Sequence, residues 1–189
     1  MRRAWFNATD AEEAKAGLAR LTKDGILSAP ESCVLREALD RFWGAVPAAP
    51  CVLCHGDLTL DNAVWHAGQV VSLLDFEFAV MAPVQLDLNH LVKCAFGPED
   101  AAHLPSATHL QGSRRLRQAV EKIARPILAQ PGGMDLLVGY AILLELWLLE
   151  LWLAHPEGEG PLEQWDSLRR LHSLADGTRG YLAPLALER

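Results

Sequence analysis

The sequence predicts an α+β protein that is mainly helical, with a small β region between two groups of helices. Apolar residues recur at helical spacing before residue 50 and again after residue 83. Between them, short apolar runs are separated by polar turns, which is typical of strands. The chain has 189 residues, of which 50% are hydrophobic, so we expect a single domain over residues 1–189 with a buried core.

Two helices are predicted before the β region. Thr9 and Glu12 have the spacing of a capping box, which predicts a helix that begins at Asp10 and ends at Gly25. Pro30 predicts the start of a second helix, and Gly44 its end. The apolar residues of the second helix fall on one face: Val34, Leu35, Ala38, Leu39, Phe42 and Trp43.

Three short strands are predicted next, at Cys51–Cys54, Ala63–Trp65 and Val70–Leu74, and the first of them is expected to be buried. The second and third flank a short turn and should pair as a hairpin. The chain then returns to helical patterns, with predicted helices at Leu86–Cys94, Ser113–Leu128, Met134–Ala154 and Leu162–Leu174.

The densest apolar stretch, from Leu136 to Ala154, is predicted to be a core helix rather than a membrane span. It contains Glu145 and Glu150, and each carboxylate would cost roughly 2–3 kcal/mol inside a bilayer. No apolar run follows Trp5, so no signal peptide is expected and the cytoplasm is the predicted location. We expect no membrane partner.

Charge and cysteine content argue against two further classes of function, nucleic-acid binding and covalent haem binding. The formal net charge is −7, which disfavours a nucleic-acid partner because phosphates must be neutralised by lysine and arginine. The run from Cys51 to His55 fits the C-x-x-C-H pattern of covalent haem attachment. Without an export signal we favour strand cysteines that behave as small hydrophobic residues.

The segment that indicates chemistry has the spacing H-x-D-x-x-x-x-N and is followed by an acidic residue after the hairpin. Its members are His55, Asp57, Asn62 and Asp75. A phosphoryl acceptor needs a carboxylate that orients its hydroxyl and takes the proton, and magnesium prefers hard oxygen ligands. The same spacing of aspartate and asparagine occurs in the protein-kinase catalytic loop.

The segments Val52–Trp65 and Leu73–Ala79 closely resemble the aminoglycoside phosphotransferase family, which has a protein-kinase-like fold. The resemblance implies a kinase-like C-terminal lobe that uses Mg²⁺ with ATP or GTP. It implies that Asp57 is the catalytic base, with His55 as a structural member of the catalytic loop. Asn62 and Asp75 would bind magnesium and, through it, the nucleotide.

The resemblance also covers a P-x-x-x-D-L segment, whose aspartate, Asp87 here, usually braces the catalytic loop. Together the motifs cover residues 51–91. Asp61 and Glu77 are weaker candidates, for contact with a substrate that is possibly cationic. For His90, which follows Asp87 on a predicted helix, a structural hydrogen bond is favoured over a catalytic role.

The sequence departs from the family pattern before residue 55. A complete member has an N-terminal lobe with a sheet, a glycine-rich loop and a lysine that contacts ATP phosphates. The residues before His55 instead predict two helices, where Lys15 and Lys23 would be solvated. We therefore expect this lobe to be absent from the chain.

The favoured function is phosphoryl transfer to a hydroxyl of a small molecule. It would need a nucleotide lobe from a partner chain, from a second copy in a homodimer, or from residues missing from this sequence. One alternative is a non-catalytic module that binds a cationic small molecule or a protein. Another is the same carboxylates recruited to different acid–base chemistry.

Overall fold

The computed structural model describes residues 11–97, 107–154, 161–162 and 165–185, and in these ranges helices surround a small β region. The helices are α1 (Ala11–Lys23), α2 (Ala29–Ala45), α3 (Gln85–Phe96), α4 (Ala107–Leu128), α5 (Gly133–Ala154) and α6 (Asp166–Ala175). The strands are β1 (Cys51–Cys54), β2 (Ala63–His66), β3 (Gln69–Leu73) and β4 (Val80–Pro83). Short 3₁₀ turns lie at Val46–Ala48, Phe76–Phe78 and Gly180–Leu185. The predicted mainly helical α+β class is confirmed.

The β region consists of two antiparallel pairs of strands. β2 pairs with β3 as the predicted hairpin, with an irregularity in register between Val64 and Trp65. β1 pairs with β4, which places Leu53 opposite Met81. The strand β4 was not predicted, because so short a run shows no periodicity of its own and its partner is distant in sequence.

The prediction that β1 is buried was wrong, apart from its last residue. The side chain of Cys54 is buried, but Leu53 is 71% exposed and Val52 is 42% exposed. The four cysteines form no disulfide within the described residues, and burial raises the pKa of Cys54 to about 11. The Cys54 thiol therefore stays protonated at neutral pH and is not a reactive thiolate.

Helix α5 lies at the centre of the core, where it packs against α2, α3 and α6. Its buried residues include Leu137, Ala141, Ile142 and Leu149, as expected for a helix that is apolar nearly all round. Gly139 permits the close approach of α2, because a Cβ there would lie 2.2 Å from Cγ of Phe42. Among the described residues, no helix combines the length and apolar character that a membrane crossing requires.

The two N-terminal helices form as predicted, within a few residues of the expected bounds. Ser28 caps α2 and forms a capping box with Glu31, whose carboxylate accepts from the Ser28 amide at 2.8 Å. Thr9 of the other predicted capping box lies outside the described residues. Lys15 lies 3.0 Å from Asp40 between α1 and α2 and is only 30% exposed, so it is a half-buried ion pair rather than the solvated lysine that was predicted.

The C-terminal helices differ more from their predicted bounds. α4 begins at Ala107, before the predicted Ser113, and α6 begins at Asp166, after the predicted Leu162. The pattern beyond Pro161 is apolar enough to suggest a helix, but the helix begins only after the buried Trp165.

Candidate active site

The loop after β1 holds the predicted catalytic residues, and Asp87 fastens it to the first turn of α3. Its carboxylate accepts two hydrogen bonds from the loop backbone, from the His55 amide at 2.8 Å and from the Gly56 amide at 2.9 Å. A carboxylate that accepts two amide protons holds the backbone in one orientation. The bracing contact implied by the family resemblance is therefore present.

The imidazole of His55 joins this loop to the segment that carries Asp75. Nε2 lies 2.7 Å from the carbonyl oxygen of Leu74, and Nδ1 accepts from the amide of Asp57 at 3.3 Å. Both contacts are satisfied by a neutral ring protonated on Nε2. The ring also packs against Phe76, with 4.6 Å between ring centroids. These contacts give the buried His55 a structural position rather than a place in contact with substrate.

The side chain of Asn62 orients Asp57. Its Nδ2 donates to the carbonyl oxygen of Asp57 at 2.9 Å and to the carboxylate Oδ2 at 3.1 Å. The Asn62 carbonyl accepts from the amide of Leu74 at 2.8 Å, which brings the residue before Asp75 against this loop. Because Nδ2 faces Asp57, the amide oxygen of Asn62 is left available as a ligand.

Asp75 begins the 3₁₀ turn in a left-handed backbone conformation, with φ 59° and ψ 68°. A non-glycine residue rarely adopts this region, and such outliers concentrate at functional sites. The exposed Asp75 carboxylate and the amide oxygen of Asn62 are both hard oxygen donors, which fits magnesium. The described residues contain no group of three or more His, Cys, Asp or Glu side chains able to hold a metal ion. Magnesium commonly keeps several waters and takes its remaining ligands from substrate phosphates, so two protein ligands are sufficient.

Gly56 is a site residue that the motif contains but the sequence does not explain. Its φ is +84°, and a Cβ there would lie 2.2 Å from the carbonyl oxygen of Phe78. The ring of Phe78 packs edge-on against Trp147 of α5, at 6.5 Å between centroids. The loop, the 3₁₀ turn and α5 are therefore packed together, a contact that no local pattern predicts.

The two weaker candidates, Asp61 and Glu77, are both exposed, the first in the loop and the second in the 3₁₀ turn. Between residues 51 and 92 the chain has no lysine or arginine, whereas it has five carboxylates: Asp57, Asp61, Asp75, Glu77 and Asp87. This stretch of the sequence is therefore strongly acidic, and of its five carboxylates only Asp87 accepts from backbone amides of the described residues.

Comparison with known families agrees with this geometry. A sequence model described as the phosphotransferase enzyme family matches residues 1–123. The chain belongs to this family. No curated protein and no solved structure gave a significant match. The family match confirms the resemblance seen at the motif, and it includes the catalytic loop, the Asp75 segment and the Asp87 brace. Membership of the family indicates a phosphotransferase-type function and suggests a kinase-like fold.

Proposed function

We propose that this protein transfers a phosphoryl group from ATP or GTP, with Mg²⁺, to a hydroxyl group of a small molecule. The observation that carries the proposal is the catalytic loop, in which Asn62 orients the Asp57 carboxylate and Asp87 holds the backbone. The Asp57 side chain is 38% exposed, so an acceptor hydroxyl can reach it.

Asp57 is suited to accept the proton of the attacking hydroxyl as general base. Asn62 fixes Oδ2 from one side, so the carboxylate presents its free lone pairs in a defined direction. The amide oxygen of Asn62 and the Asp75 carboxylate would hold the magnesium ion. When bound, this ion offsets the negative charge of the transferring phosphates.

We propose that the nucleotide lobe is supplied by a separate polypeptide or by residues outside this sequence. The described residues before β1 form α1 and α2, which offer neither a glycine-rich loop nor a strand lysine. Apolar side chains beside the site are exposed instead. We refer to these exposed apolar side chains of the β region together as the β-region apolar surface: Val52, Leu53, Val64, Trp65, Val70, Val71, Leu73, Leu74, Phe76 and Met81. An exposed set of this kind on a folded protein marks a binding surface.

Charge supports the same conclusion. The site carboxylates have no lysine or arginine between residues 51 and 92, so they repel the phosphates of a nucleotide. A partner that brings its own lysine or arginine would reverse this repulsion, and we take a nucleotide-binding polypeptide to be the occupant. The acidic site would also favour an acceptor that carries positive charge. Because the reaction uses ATP or GTP, we keep the cytoplasm as the proposed location.

A second candidate function is a non-catalytic module that binds a cationic small molecule. The observation that favours it is the pair of exposed carboxylates, Asp61 and Glu77, which have no ion pair within the described part of the chain. Such a module would bind polyamine-like cations without nucleotide, whereas a phosphotransferase would bind magnesium and ATP together.

The decisive experiment measures ATP consumption by the chain, alone and with the product of a neighbouring reading frame that encodes a glycine-rich loop and a strand lysine. A panel of alcohols and aminoalcohols serves as acceptors. We expect turnover with the partner present, and we expect Asp57→Asn to lower kcat by about 10²–10⁴-fold because the general base is lost.

The matched control is Asp24→Asn, which removes an exposed carboxylate in the turn between α1 and α2 and should leave turnover unchanged. Calorimetry with Mg²⁺ and ATP on the same mixture separates the two candidates. Binding of spermidine by the chain, with neither ATP binding nor turnover in any mixture, would favour the non-catalytic module.

A further inference from the structure

His90, on α3, faces the catalytic carboxylate from the buried side of the loop. Its side chain is 7% exposed, and Nδ1 lies 3.7 Å from Oδ1 of Asp57. Asp57 is thus contacted on both of its oxygens, because Oδ2 accepts from Asn62 at 3.1 Å. His90 lies one helical turn after Asp87, so the residue that braces the loop and the residue behind its carboxylate share one face of α3.

The surroundings of His90 favour a neutral ring. Burial lowers the pKa of its imidazole, and the Asp57 carboxylate opposes that effect; Lys93 lowers the pKa and Asp87 raises it. Lys93 is itself held by Glu145 of α5 at 2.9 Å, and Glu145 also contacts Arg170 of α6 at 3.3 Å. A neutral imidazole can still donate from one nitrogen, so it can hold a carboxylate without neutralising it.

The other ring nitrogen of His90 shows that the imidazole is not a simple core residue. Nε2 is buried and has no hydrogen-bond partner in the described part of the chain. A buried polar atom without a partner is destabilising, and an apolar side chain in the same space would avoid that cost. Nδ1 lies 3.7 Å from Oδ1 of Asp57, and a hydrogen bond with the backbone of Gly56 also holds the ring against the loop.

We propose that His90 is a positioning residue for the catalytic carboxylate. Its Nδ1–H holds the Oδ1 side of Asp57 while Asn62 holds Oδ2, so the carboxylate cannot rotate away from the acceptor hydroxyl. The separation of 3.7 Å is longer than a hydrogen bond, and we expect it to shorten when an acceptor binds, since catalytic hydrogen bonds are often long before substrate binds. The inference rests on the proposed phosphotransferase function and adds a residue to which the motif assigns no role.

Three substitutions test the role of one nitrogen. In His90→Asn the amide nitrogen can replace Nδ1, in His90→Gln it replaces Nε2, and His90→Leu supplies neither. We expect Leu and Gln to lower kcat by about 10- to 100-fold, with KM changed less than about threefold, because misorientation affects the chemical step. The Asn variant should keep kcat within about threefold of the wild type. Equal losses in Asn and Gln, or a wild-type kcat in Leu, would overturn the proposal.

A second measurement does not depend on turnover. Imidazole ¹⁵N NMR of the full chain should show His90 neutral and protonated on Nδ1, and Asp57→Asn should shift that resonance. Asp24→Asn should leave it in place, which controls for general effects of charge. A His90 resonance insensitive to Asp57→Asn, or protonated on Nε2, contradicts the positioning role. A shifted resonance in a protein without turnover instead supports the contact and counts only against the phosphotransferase reaction.

Discussion

Apolar and charged side chains lie in opposite environments in the helical body, which consists of α1–α6, and in the β region, which consists of β1–β4 and the loops between them. In the helical body Leu35, Leu137 and Leu149 are fully buried, whereas in the β region Leu53 is 71% exposed and Met81 62% exposed. Glu145 of α5 is fully buried and contacts both Lys93 and Arg170. The carboxylates of Asp61 and Glu77 are exposed, with no lysine or arginine from residue 51 to 92.

This difference separates the part of the chain that forms the buried core from the part that we propose to bind a partner. A buried charge is tolerated only when it is paired, and an apolar surface stays exposed on a folded protein mainly where it has a binding role. In the helical body the buried charge of Glu145 is paired. In the β region, which adjoins the site, apolar side chains are exposed, and we propose a binding role for them.

The largest expected effect is the loss of stability when the buried charge of Glu145 is removed. Glu145→Gln should destabilise the protein by about 3–5 kcal/mol, because Lys93 and Arg170 lose the carboxylate that compensates them. Glu77→Gln in the β region should change the unfolding free energy by less than about 0.5 kcal/mol, as is usual for exposed side chains. Urea unfolding of both variants makes the comparison. Equal destabilisation by the two substitutions would show that the buried and the exposed carboxylate contribute equally to stability, which contradicts the comparison.

The next effect concerns the β-region apolar surface. Leu53→Asp should weaken binding of the nucleotide-binding partner by about tenfold or more, since it places a charge on the most exposed leucine of the proposed contact. It should cost no more than about 1 kcal/mol of stability, because Leu53 is already in water. Val34→Asp, at an exposed apolar position of α2, is the control and should leave partner binding unchanged.

Sedimentation of the chain alone adds a check on the identity of the occupant. A dimer that Leu53→Asp dissociates and Val34→Asp does not would assign this surface to a second copy of the chain. The proposed nucleotide-binding polypeptide would then be the wrong occupant.

The smallest effect is a pH dependence in the helical body. Hydrogen bonds from the side chain and backbone of Ser28, with a contact to His172, hold the pKa of Glu31 at about 2, below its ordinary value of 4.5. A lowered carboxylate pKa stabilises the fold above pH 4.5, and this contribution is lost as the pH falls from 4.5 towards 2.

Ser28→Ala should therefore cost about 1 kcal/mol at pH 7, where the capping box is intact. The difference from the wild type should shrink as the pH is lowered from 5 to 3. Urea unfolding at these pH values, with Asp24→Asn as control, measures it. A loss that is the same at every pH would assign the effect to the helix cap alone, without the Glu31 charge.

Much of the site followed from spacing in the sequence. His55, Asp57 and Asn62 lie within one loop, so their order along the chain is sufficient to predict that they meet. Asp75 was predicted beside them because a hairpin returns the chain to its start, and the bond from the Leu74 amide to the Asn62 carbonyl shows this return. The catalytic, metal-binding and substrate-binding roles of these residues remain predictions for the experiments above.

The contacts between distant segments could not be predicted in the same way. β4 has only four residues and is defined by pairing with β1, and the predicted burial of β1 failed because apolar composition alone does not say which face is covered. The need for glycine at position 56 depends on the carbonyl of Phe78, which belongs to another segment. The place of His90 behind Asp57 likewise depends on how α3 meets the loop.

By itself, the sequence determined the helical class, the family and the set of groups available for phosphoryl transfer. These depend on local periodicity and on a motif confined to one loop and one hairpin. Only the tertiary structure decided that the β region presents its apolar side chains to solvent and that His90 faces the catalytic carboxylate. Burial and contact are properties of surfaces that meet across the chain, and no local pattern records which surface meets which.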